Sequence, residues 1–360
     1  MPESEVARLT DQLREAAGSR GRLTFMEVCG THTMAIARFG LRELLPSNVR
    51  LISGPGCPVC VTATSDLDVA VALARLPGIT LTTFGDLVRV PASRTTLADE
   101  RAAGADVRVV YSVADAVELA KQEPGREVVF VGIGFETTAP TVAAALLDAR
   151  ASEVTNFRVL SLHKTMPGAL RALLDLGEVE IDGFLLPGHV SVVTGTAIYE
   201  FLAREYGVGG VVAGFEAADI LQALLMLTRQ RSAAVEIAYT RAVRPEGNRV
   251  ARDLMERVFE PCDAVWRGLG IIPGSGLQLR DEWAQFDARR WYDVTVGAPV
   301  EPAGCACGDV LRGALDPAAC PLFGTTCTPQ SPVGPCMVSN EGSCAARYRY
   351  RDVEGGVREL

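Results

Sequence analysis

Long apolar runs are missing from this chain of 360 residues. No uninterrupted apolar stretch approaches the roughly 20 residues that a membrane-spanning helix needs. The N-terminal segment, MPESEVARLTDQLREAAGSR, is polar and amphipathic and does not contain the apolar core of a secretion signal. We therefore expect a protein without a membrane partner that stays in the cytoplasm, where structural disulfides are rare.

Positive charge is also scarce. Lys and Arg total 35 against 44 Asp and Glu, which gives a formal net charge of −9. Because nucleic-acid binding usually requires a basic face, this charge argues against a nucleic-acid partner. The Gly-rich segments match neither a phosphate-binding loop nor a full dinucleotide fingerprint, since VGIGFET lacks the third glycine at the required position.

Cysteine is absent from residues 61–261 and is concentrated towards both ends of the chain. Three cysteines lie in Gly-rich turns near the N-terminus: Cys29, Cys57 and Cys60. Six more lie near the C-terminus: Cys305, Cys307, Cys320, Cys327, Cys336 and Cys344. Cys262 has no cysteine partner nearby and is expected to be a small buried apolar residue. In a reducing compartment, the grouping of the others indicates metal ligation or redox chemistry.

Short apolar segments alternate with helical segments along most of the chain. After a helix over residues 3–20, strands are predicted at 23–28, 49–54, 79–84, 105–111, 126–134, 156–162, 182–188 and 208–214, with helices such as 34–45, 66–76 and 114–122 between them. This alternation predicts an α/β fold with parallel sheets that are covered on both faces.

A weak internal repeat divides this region. MEVCGTHTMAIARFGL, LISGPGCPVC and LTTFGDLV resemble VGIGFETTAPTVAAAL, FLLPGHVSVV and VVAGFEAADI in the same order. We expect two related Rossmann-like domains, with the N-terminal helix and the first sheet in residues 1–122 and the second sheet in 123–232. The rhythm fades beyond about residue 233, and from residue 301 onward the chain is rich in Pro, Gly and Cys, which predicts that the C-terminal domain, residues 233–360, depends on a metal.

Chemically versatile side chains follow the predicted strands at their carboxyl ends, where open α/β sheets bind ligands. They are Cys29, Cys57, Asp86, Glu136, His189 and Glu216, and they are predicted to face one another across a cleft between the two domains. Glu136 and Thr137 begin a helix, so an N-cap explains them equally well. The chain has three histidines, and His32 and His189 both lie in Gly-flanked turns, which favours a functional role for them.

Two N-terminal motifs carry reactive thiols. Cys29 and His32 lie three residues apart, close enough on one helical turn for His32 to act as a base for the Cys29 thiol or as a second ligand. Cys57 and Cys60 form CPVC, a spacing typical of a thiol–disulfide pair, and at a helix N-terminus their pKa values would fall. Both thiolates binding one metal, or two merely buried cysteines, remain alternatives.

The C-terminal cysteines offer the spacing C-x12-C-x6-C-x16-C from Cys307, Cys320, Cys327 and Cys344. Four thiolates suit Zn(II) or an iron–sulfur cluster. A structural zinc site usually has tight C-x2-4-C knuckles, which this spacing lacks, so a [4Fe-4S] cluster is favoured over zinc. Cys305 and Cys336 are competing ligands or spares.

The motifs MEVCGTHT, GPGCPVC, TFGD, GFETT, PGHVS, AGFE, WRGLG, CPLFG-x-TC and EGSCAA, in this order, resemble the HypD family of [NiFe]-hydrogenase maturation factors. The resemblance spans about residues 20 to 350. It implies a scaffold with redox activity, rather than a conventional turnover enzyme, on which the Fe(CN)2(CO) group is assembled. The implied partners are a HypC-type chaperone and a HypE-type cyanide donor, which is charged by a HypF-type protein.

The resemblance also implies roles for individual residues. Cys29 would share the nascent Fe(II), which carries CN and CO, with a chaperone cysteine, and His32 lies in the matching turn. Cys57 and Cys60 match the redox-active or iron-binding pair, and Cys307, Cys320, Cys327 and Cys344 match the [4Fe-4S] ligands. Some relatives have Cys-Gly-Gly-His where this chain has Cys-Gly-Thr-His, which leaves Cys29 and His32 intact.

Three functions can be weighed against one another. In the first, a metallocofactor scaffold, the CPVC pair is hypothesised to relay electrons between cluster and iron by opening and closing a disulfide. The second is a stand-alone thiol–disulfide oxidoreductase, which gives Cys29 and the four distal cysteines no role. The third is a zinc-stabilised binding module.

Overall fold

A computed structural model describes residues 2–350 of the chain. The strands are β1 (Leu23–Glu27), β2 (Val49–Ser53), β3 (Ile79–Thr83), β4 (Asp106–Val109), β5 (Glu127–Gly132), β6 (Phe157–Ser161), β7 (Gly183–Pro187), β8 (Gly209–Ala213), β9 (Val235–Ile237), β10 (Phe259–Trp266) and β11 (Gly270–Leu279).

The α-helices are α1 (Pro2–Gly18), α2 (Gly30–Arg38), α3 (Leu41–Leu44), α4 (Pro58–Val61), α5 (Thr64–Ala74), α6 (Gly85–Val88), α7 (Leu97–Ala102), α8 (Val113–Gln122), α9 (Ala139–Ala151), α10 (Met166–Leu176), α11 (Gly188–Thr194), α12 (Glu200–Tyr206), α13 (Ala217–Arg229), α14 (Arg249–Val258), α15 (Ala288–Trp291), α16 (Cys307–Leu311), α17 (Pro335–Val338) and α18 (Ser343–Arg349). Short 3-10 helices cover Ala197–Tyr199, Asp281–Phe286 and Pro317–Ala319.

Local sequence explains most of these elements. The strands β1, β3, β7 and β8 are buried along their whole length, as expected for apolar runs in parallel sheets with both faces covered. The helix predicted over 34–45 is divided in two because Gly40, with φ +60, takes a left-handed conformation between α2 and α3. Ser112 and Asp115 form a capping box that begins α8.

The long strands form two parallel sheets. Sheet 1 has the order β2-β1-β7-β8-β9, and sheet 2 has the order β4-β3-β5-β6. In each sheet the second strand along the chain lies outside the first, and the third and fourth follow on the other side. The prediction of an α/β protein with two parallel sheets is confirmed.

The two sheets are nested in the chain rather than consecutive. The chain passes from β2 through α5 into sheet 2, completes that sheet, and returns through α10 to β7 of sheet 1. The expected boundary between residues 122 and 123 therefore does not separate the sheets, because it falls between β4 and β5 of the same sheet.

The repeat also pairs different segments from those expected. By position in the sheet, β1 corresponds to β3 and β7 corresponds to β5, whereas the sequence comparison paired the β1 turn with the β5 turn. Strand–Gly–helix turns resemble one another wherever a parallel strand ends, so their likeness did not identify the topological equivalents.

The remainder of the chain packs against both sheets. β9 is the last strand of sheet 1, and β10 and β11 form an antiparallel hairpin that packs on α10. The hairpin was not predicted. From residue 301 the chain forms short helices whose buried cysteines join the same apolar cluster as residues of both sheets. None of the helices in residues 2–350 combines the length and apolar character needed to cross a bilayer.

Candidate functional site

A cleft of about 400 Å³ lies where the two sheets bring their central strand ends together. In each sheet the strand order reverses between the first and third strands, and ligands of open α/β sheets bind at such a switch point. The turns after β1, β2 and β7 of sheet 1 and those after β3 and β5 of sheet 2 line the cleft. Cys29, Asp86, Thr137 and His189 are among the lining residues.

The C-terminal segment closes one side of this cleft. Glu341 accepts a hydrogen bond from the Thr31 hydroxyl at 2.8 Å, and the Ser339 hydroxyl donates to Asp86 Oδ2 at 2.9 Å. Both Ser339 and Glu341 line the cleft. Burial raises the pKa of the Glu341 carboxyl. The two sheets and the cysteine-rich segment therefore all contribute to one site.

Cys29 lies directly before α2, with extended backbone, and is 8 % exposed. Burial raises the pKa of its thiol to about 12, although the N–H groups of His32 and Thr31 oppose the rise. A thiol in this environment stays protonated at neutral pH. A cation that binds it must therefore displace the proton, which makes binding dependent on pH.

A fully buried carboxyl group lies behind the Cys29 turn. Glu27, the last residue of β1, accepts hydrogen bonds from the Cys29 N–H at 3.1 Å and from the Thr33 hydroxyl at 2.6 Å. Burial raises its pKa to about 7. Glu27 therefore fixes the turn that carries the thiol. An acid at the end of the apolar segment LTFMEV was the available sequence signal, and it was missed.

His32 is fully buried on α2, and its ring packs against Phe215 at a tilt, with 4.9 Å between the ring centroids. Its Nε2 donates to the Gly214 carbonyl at 2.9 Å, which leaves Nδ1 unprotonated and without a partner. Burial lowers the pKa of His32 to about 4. A base this weak is a poor acceptor for a proton from a thiol whose pKa is about 12, which weighs against the predicted base role.

The CPVC pair is oxidised. Cys57 and Cys60 form a disulfide with a Cα–Cα distance of 5.2 Å, and they are 4 % and 0 % exposed. Cys57 is the N-cap of α4, where the Cys60 N–H approaches its sulfur at 3.2 Å. Gly30 N–H donates to the Gly56 carbonyl at 2.9 Å, so the CPVC turn and the Cys29 turn are direct neighbours.

All six C-terminal cysteines line a second, largely apolar pocket. The sulfurs of Cys307 and Cys336 are 2.7 Å apart. Thiol–thiol hydrogen bonds lower the pKa of Cys307 and raise the pKa values of Cys305 and Cys336. The predicted ligands Cys307, Cys320, Cys327 and Cys344 are thus brought together, and so are the two cysteines that the sequence left as spares.

This donor set fits an iron–sulfur cluster. Cysteine thiolates are the usual cluster ligands, and no hard oxygen ligand lines the described pocket. In residues 2–350 no three His, Cys, Asp or Glu side chains are spaced to hold a single metal ion. The fit to a cluster rests on the six thiols that line the pocket.

The disulfide and the cysteine pocket are in contact. Helix α4 packs on α16 and α17, and the Cys60 sulfur lies 4.0 Å from the Pro335 carbonyl, next to Cys336. Buried Arg267, from the WRGLG motif, donates to the Thr62 carbonyl at the end of α4, and its positive charge also lowers the pKa of Cys307. No role for this arginine was predicted from the sequence.

The remaining predicted candidates occupy different environments. His189 lines the cleft and stacks on Phe215 at 3.9 Å between ring centroids. Glu136 is buried behind the cleft, where its Oε1 accepts from the Met166 N–H at 2.9 Å. The Glu216 side chain is 81 % exposed and lies 3.8 Å from Arg241, so it turns away from the cleft. Cys262 is half-buried on β10, outside the cysteine pocket.

The fold and the site define a class of protein in which two nested parallel sheets form one cleft, with a disulfide-bonded cysteine pair beside it and a cysteine pocket packed against that pair. Comparison with known proteins supplies the family. The family model described as "HypD: Hydrogenase formation hypA family" matches residues 4–351. The chain belongs to this family, and its role is that of a hydrogenase maturation factor.

Relatives match over nearly their whole length. The chain is 47% identical to hydrogenase maturation factor HypD of Rhizobium leguminosarum bv. viciae, with 99% of this chain and 94% of the relative covered. It is 46% identical to hydrogenase maturation factor HypD of Escherichia coli K12, with 97% and 96% covered. It is also 46% identical to hydrogenase maturation factor HypD of Rhodobacter capsulatus, with 99% and 95% covered.

Proposed function

We propose that this protein is the scaffold on which the Fe(CN)2(CO) group of a [NiFe]-hydrogenase is assembled. The observation that carries the proposal is the continuity of three cysteine groups. Cys29 faces the cleft, the CPVC turn lies against the Cys29 turn, and the six-cysteine pocket packs against the CPVC helix. This continuity supports the proposal, because a reducible pair would then lie between the iron site and the electron carrier.

The cleft would hold the iron as its cargo. Cys29 would bind Fe(II) together with a cysteine of a HypC-type chaperone, because soft thiolates suit low-spin iron that carries cyanide and CO. A HypE-type protein would deliver the cyanide through the open side of the cleft. His189, Asp86 and Thr137 line the same space and would contact the iron's diatomic ligands.

Cys307, Cys320, Cys327 and Cys344 would hold a [4Fe-4S] cluster. When bound, such a cluster supplies one-electron transfer at a potential set by charge and burial. The chain's own contribution next to it is the Cys57–Cys60 pair. Opening this disulfide consumes two electrons and two protons and gives two thiols, and closing it returns them. The pair would therefore act as a two-electron store beside the iron site.

A stand-alone thiol–disulfide oxidoreductase is the rival function, and the Cys57–Cys60 disulfide is the observation in its favour. Exchange with a protein substrate requires a thiolate to reach one of these sulfurs. Both residues are at most 4 % exposed, and the C-terminal segment packs against their helix. The burial favours internal electron storage over reaction with external disulfides.

Infrared spectroscopy of the protein, purified anaerobically with its chaperone, tests the proposal. Cyanide and CO stretching bands are expected, together with iron and sulfide in a brown protein. The double variant Cys57→Ser/Cys60→Ser should abolish maturation while the cluster's absorbance persists. Cys262→Ser, which changes a half-buried cysteine outside both sites, is the matched control and should mature hydrogenase normally. A colourless protein that contains one zinc would contradict the proposal.

A further inference from the structure

A groove of about 650 Å³ runs along β2, the edge strand of sheet 1. All five residues of β2 line it on one side. The segment after α16, including Gly313 and Asp316, and the helix α18 line the other side. The groove is separate from the cleft, and the function proposed above does not use it.

The backbone of β2 shows which residues face this groove. Leu23 N–H donates to the Asn48 carbonyl just before β2, and Gly54 N–H, just after β2, donates to the Glu27 carbonyl. The backbone N–H and C=O groups of residues 48 and 54 therefore point towards β1. Those of the even-numbered residues between them do the same, because these groups point to alternate sides along a strand. The odd-numbered residues of β2 turn their N–H and C=O groups towards the groove.

These outward groups are only partly used. Val49 N–H donates to the Pro46 carbonyl, and the Leu51 carbonyl accepts from Arg42 Nε at 3.2 Å. Within residues 2–350, the N–H groups of Leu51 and Ser53 donate to no acceptor. Unused donors on an edge strand are a template for an added strand.

Charge around the groove contrasts with that of the whole protein. The chain carries a net charge of −9, yet four arginines line this groove against two acidic residues. Arg22 and Arg50 are exposed. The four arginines are Arg22, Arg42, Arg50 and Arg347, and the two acidic residues are Glu43 and Asp316.

We propose that the groove binds an extended acidic segment of a partner protein, which adds to sheet 1 as a strand alongside β2. Its carbonyls would accept from the N–H groups of Leu51 and Ser53, and its acidic side chains would pair with Arg22 and Arg50. Backbone hydrogen bonds supply affinity in such strand addition, and alternate side chains supply specificity.

The groove is connected to the rear of the Cys29 turn. Arg42 Nη2 donates to the Ser53 hydroxyl at 3.1 Å, and a hydrogen bond from the Ser53 side chain lowers the pKa of Glu27. Glu27 in turn accepts from the Cys29 N–H, and Thr33, which also donates to Glu27, lines the groove. A bound segment would therefore contact the residues that hold this turn in place.

A fluorescein-labelled synthetic peptide of alternating Val and Glu tests the proposal by fluorescence anisotropy with the full-length protein. It should bind, and hydrogen exchange over residues 49–53 should slow. Arg22→Glu/Arg50→Glu should weaken binding about tenfold, because each reversal removes one exposed ion pair and adds a repulsion. Arg231→Glu, an exposed arginine just before β9 at the opposite edge of sheet 1, is the matched control and should leave binding unchanged.

Two N-methylated peptides separate strand addition from simple charge attraction. Methylation of alternate amides blocks hydrogen bonds on one side of the peptide only. The peptide that is methylated on the side facing β2 should therefore lose binding, and the peptide that is methylated on the other side should retain it. Equal binding of the two peptides would overturn the proposal. So would inorganic pyrophosphate that binds with the same dependence on Arg22 and Arg50, because the groove would then be a site for small anions.

Discussion

Glu136 makes the folding stability of this protein dependent on pH in a way that one substitution can isolate. Its Oε1 accepts from the Met166 N–H, while its Oε2 is buried without a hydrogen-bond partner. Burial raises its pKa from 4.5 to about 7. Because the folded-state pKa lies above the unfolded one, Glu136 contributes stability that is fully present below pH 4.5. That contribution is lost as the pH rises towards 7.

The size of the effect follows from the shift. A pKa difference of roughly 2.5 units corresponds to about 3 kcal/mol at 1.36 kcal/mol per unit. Glu136→Gln keeps the shape of the side chain and the acceptor for Met166, but it cannot ionise. Relative to the wild type, this variant should gain up to about 3 kcal/mol of unfolding free energy between pH 4.5 and pH 7, with little further change outside that range.

Urea unfolding at a series of pH values between 4 and 8, for both proteins, measures the difference. Glu205→Gln is the control. The Arg171 hydrogen bond lowers the pKa of this exposed carboxyl, so the effect of pH on its contribution to stability has the opposite sign. Its variant should lose stability at higher pH rather than gain it. An advantage of Glu136→Gln that is the same at pH 4 and pH 8 would refute the reasoning, since it would show that Glu136 titrates normally.

Three further predictions concern the cysteine sites. The rate at which iodoacetamide alkylates Cys29, followed by mass spectrometry, should rise about tenfold per pH unit to beyond pH 10, because burial raises the thiol pKa to about 12. A rate that levels off near pH 9 would contradict this. Gly56→Ala should lower Tm by several degrees, because its Cβ would overlap the Cys29 backbone, whereas Gly125→Ala has open space and should not. Cys320→Ser should lose the iron–sulfur absorbance that Cys262→Ser retains, and equal absorbance in both variants would remove Cys320 from the ligand set.

Local patterns predicted the strands well but could not predict how they are ordered. The apolar segments at 23–28, 79–84 and 208–214 became β1, β3 and β8, because short buried runs between turns have few alternatives. The nesting of sheet 2 inside sheet 1 depends on contacts between β1 and β7, more than a hundred residues apart along the chain. No local signal encodes such a pairing.

In the candidate site, too, some features followed from local sequence and others did not. Position at a strand end correctly placed Cys29, Asp86 and His189 around one cleft, because carboxyl ends of parallel strands share an edge. It failed for Glu216, which also ends a strand but caps α13 beside Arg241 and faces solvent. Side-chain direction and burial decide such cases, and neither follows from spacing alone.

The spacing of the cysteines also did not predict which of them line the pocket. The sequence separated four ligands from two spares, but the fold brings Cys336 to within 2.7 Å of Cys307 between their sulfurs. Helix α17, only four residues long, presents Cys336 to the pocket. A helix this short carries too little periodicity to be predicted.

The nested chain path imposes an order on biosynthesis. Residues 79–161 emerge from the ribosome as one uninterrupted block, so sheet 2 can form as soon as they are clear. Until β7 is synthesised, β1 has only β2 beside it, and the wall that includes His189 does not yet exist. During that interval the nascent thiols of Cys29, Cys57 and Cys60 lack the enclosure that later protects them. Premature oxidation or adventitious metal capture would be most damaging at this stage of translation.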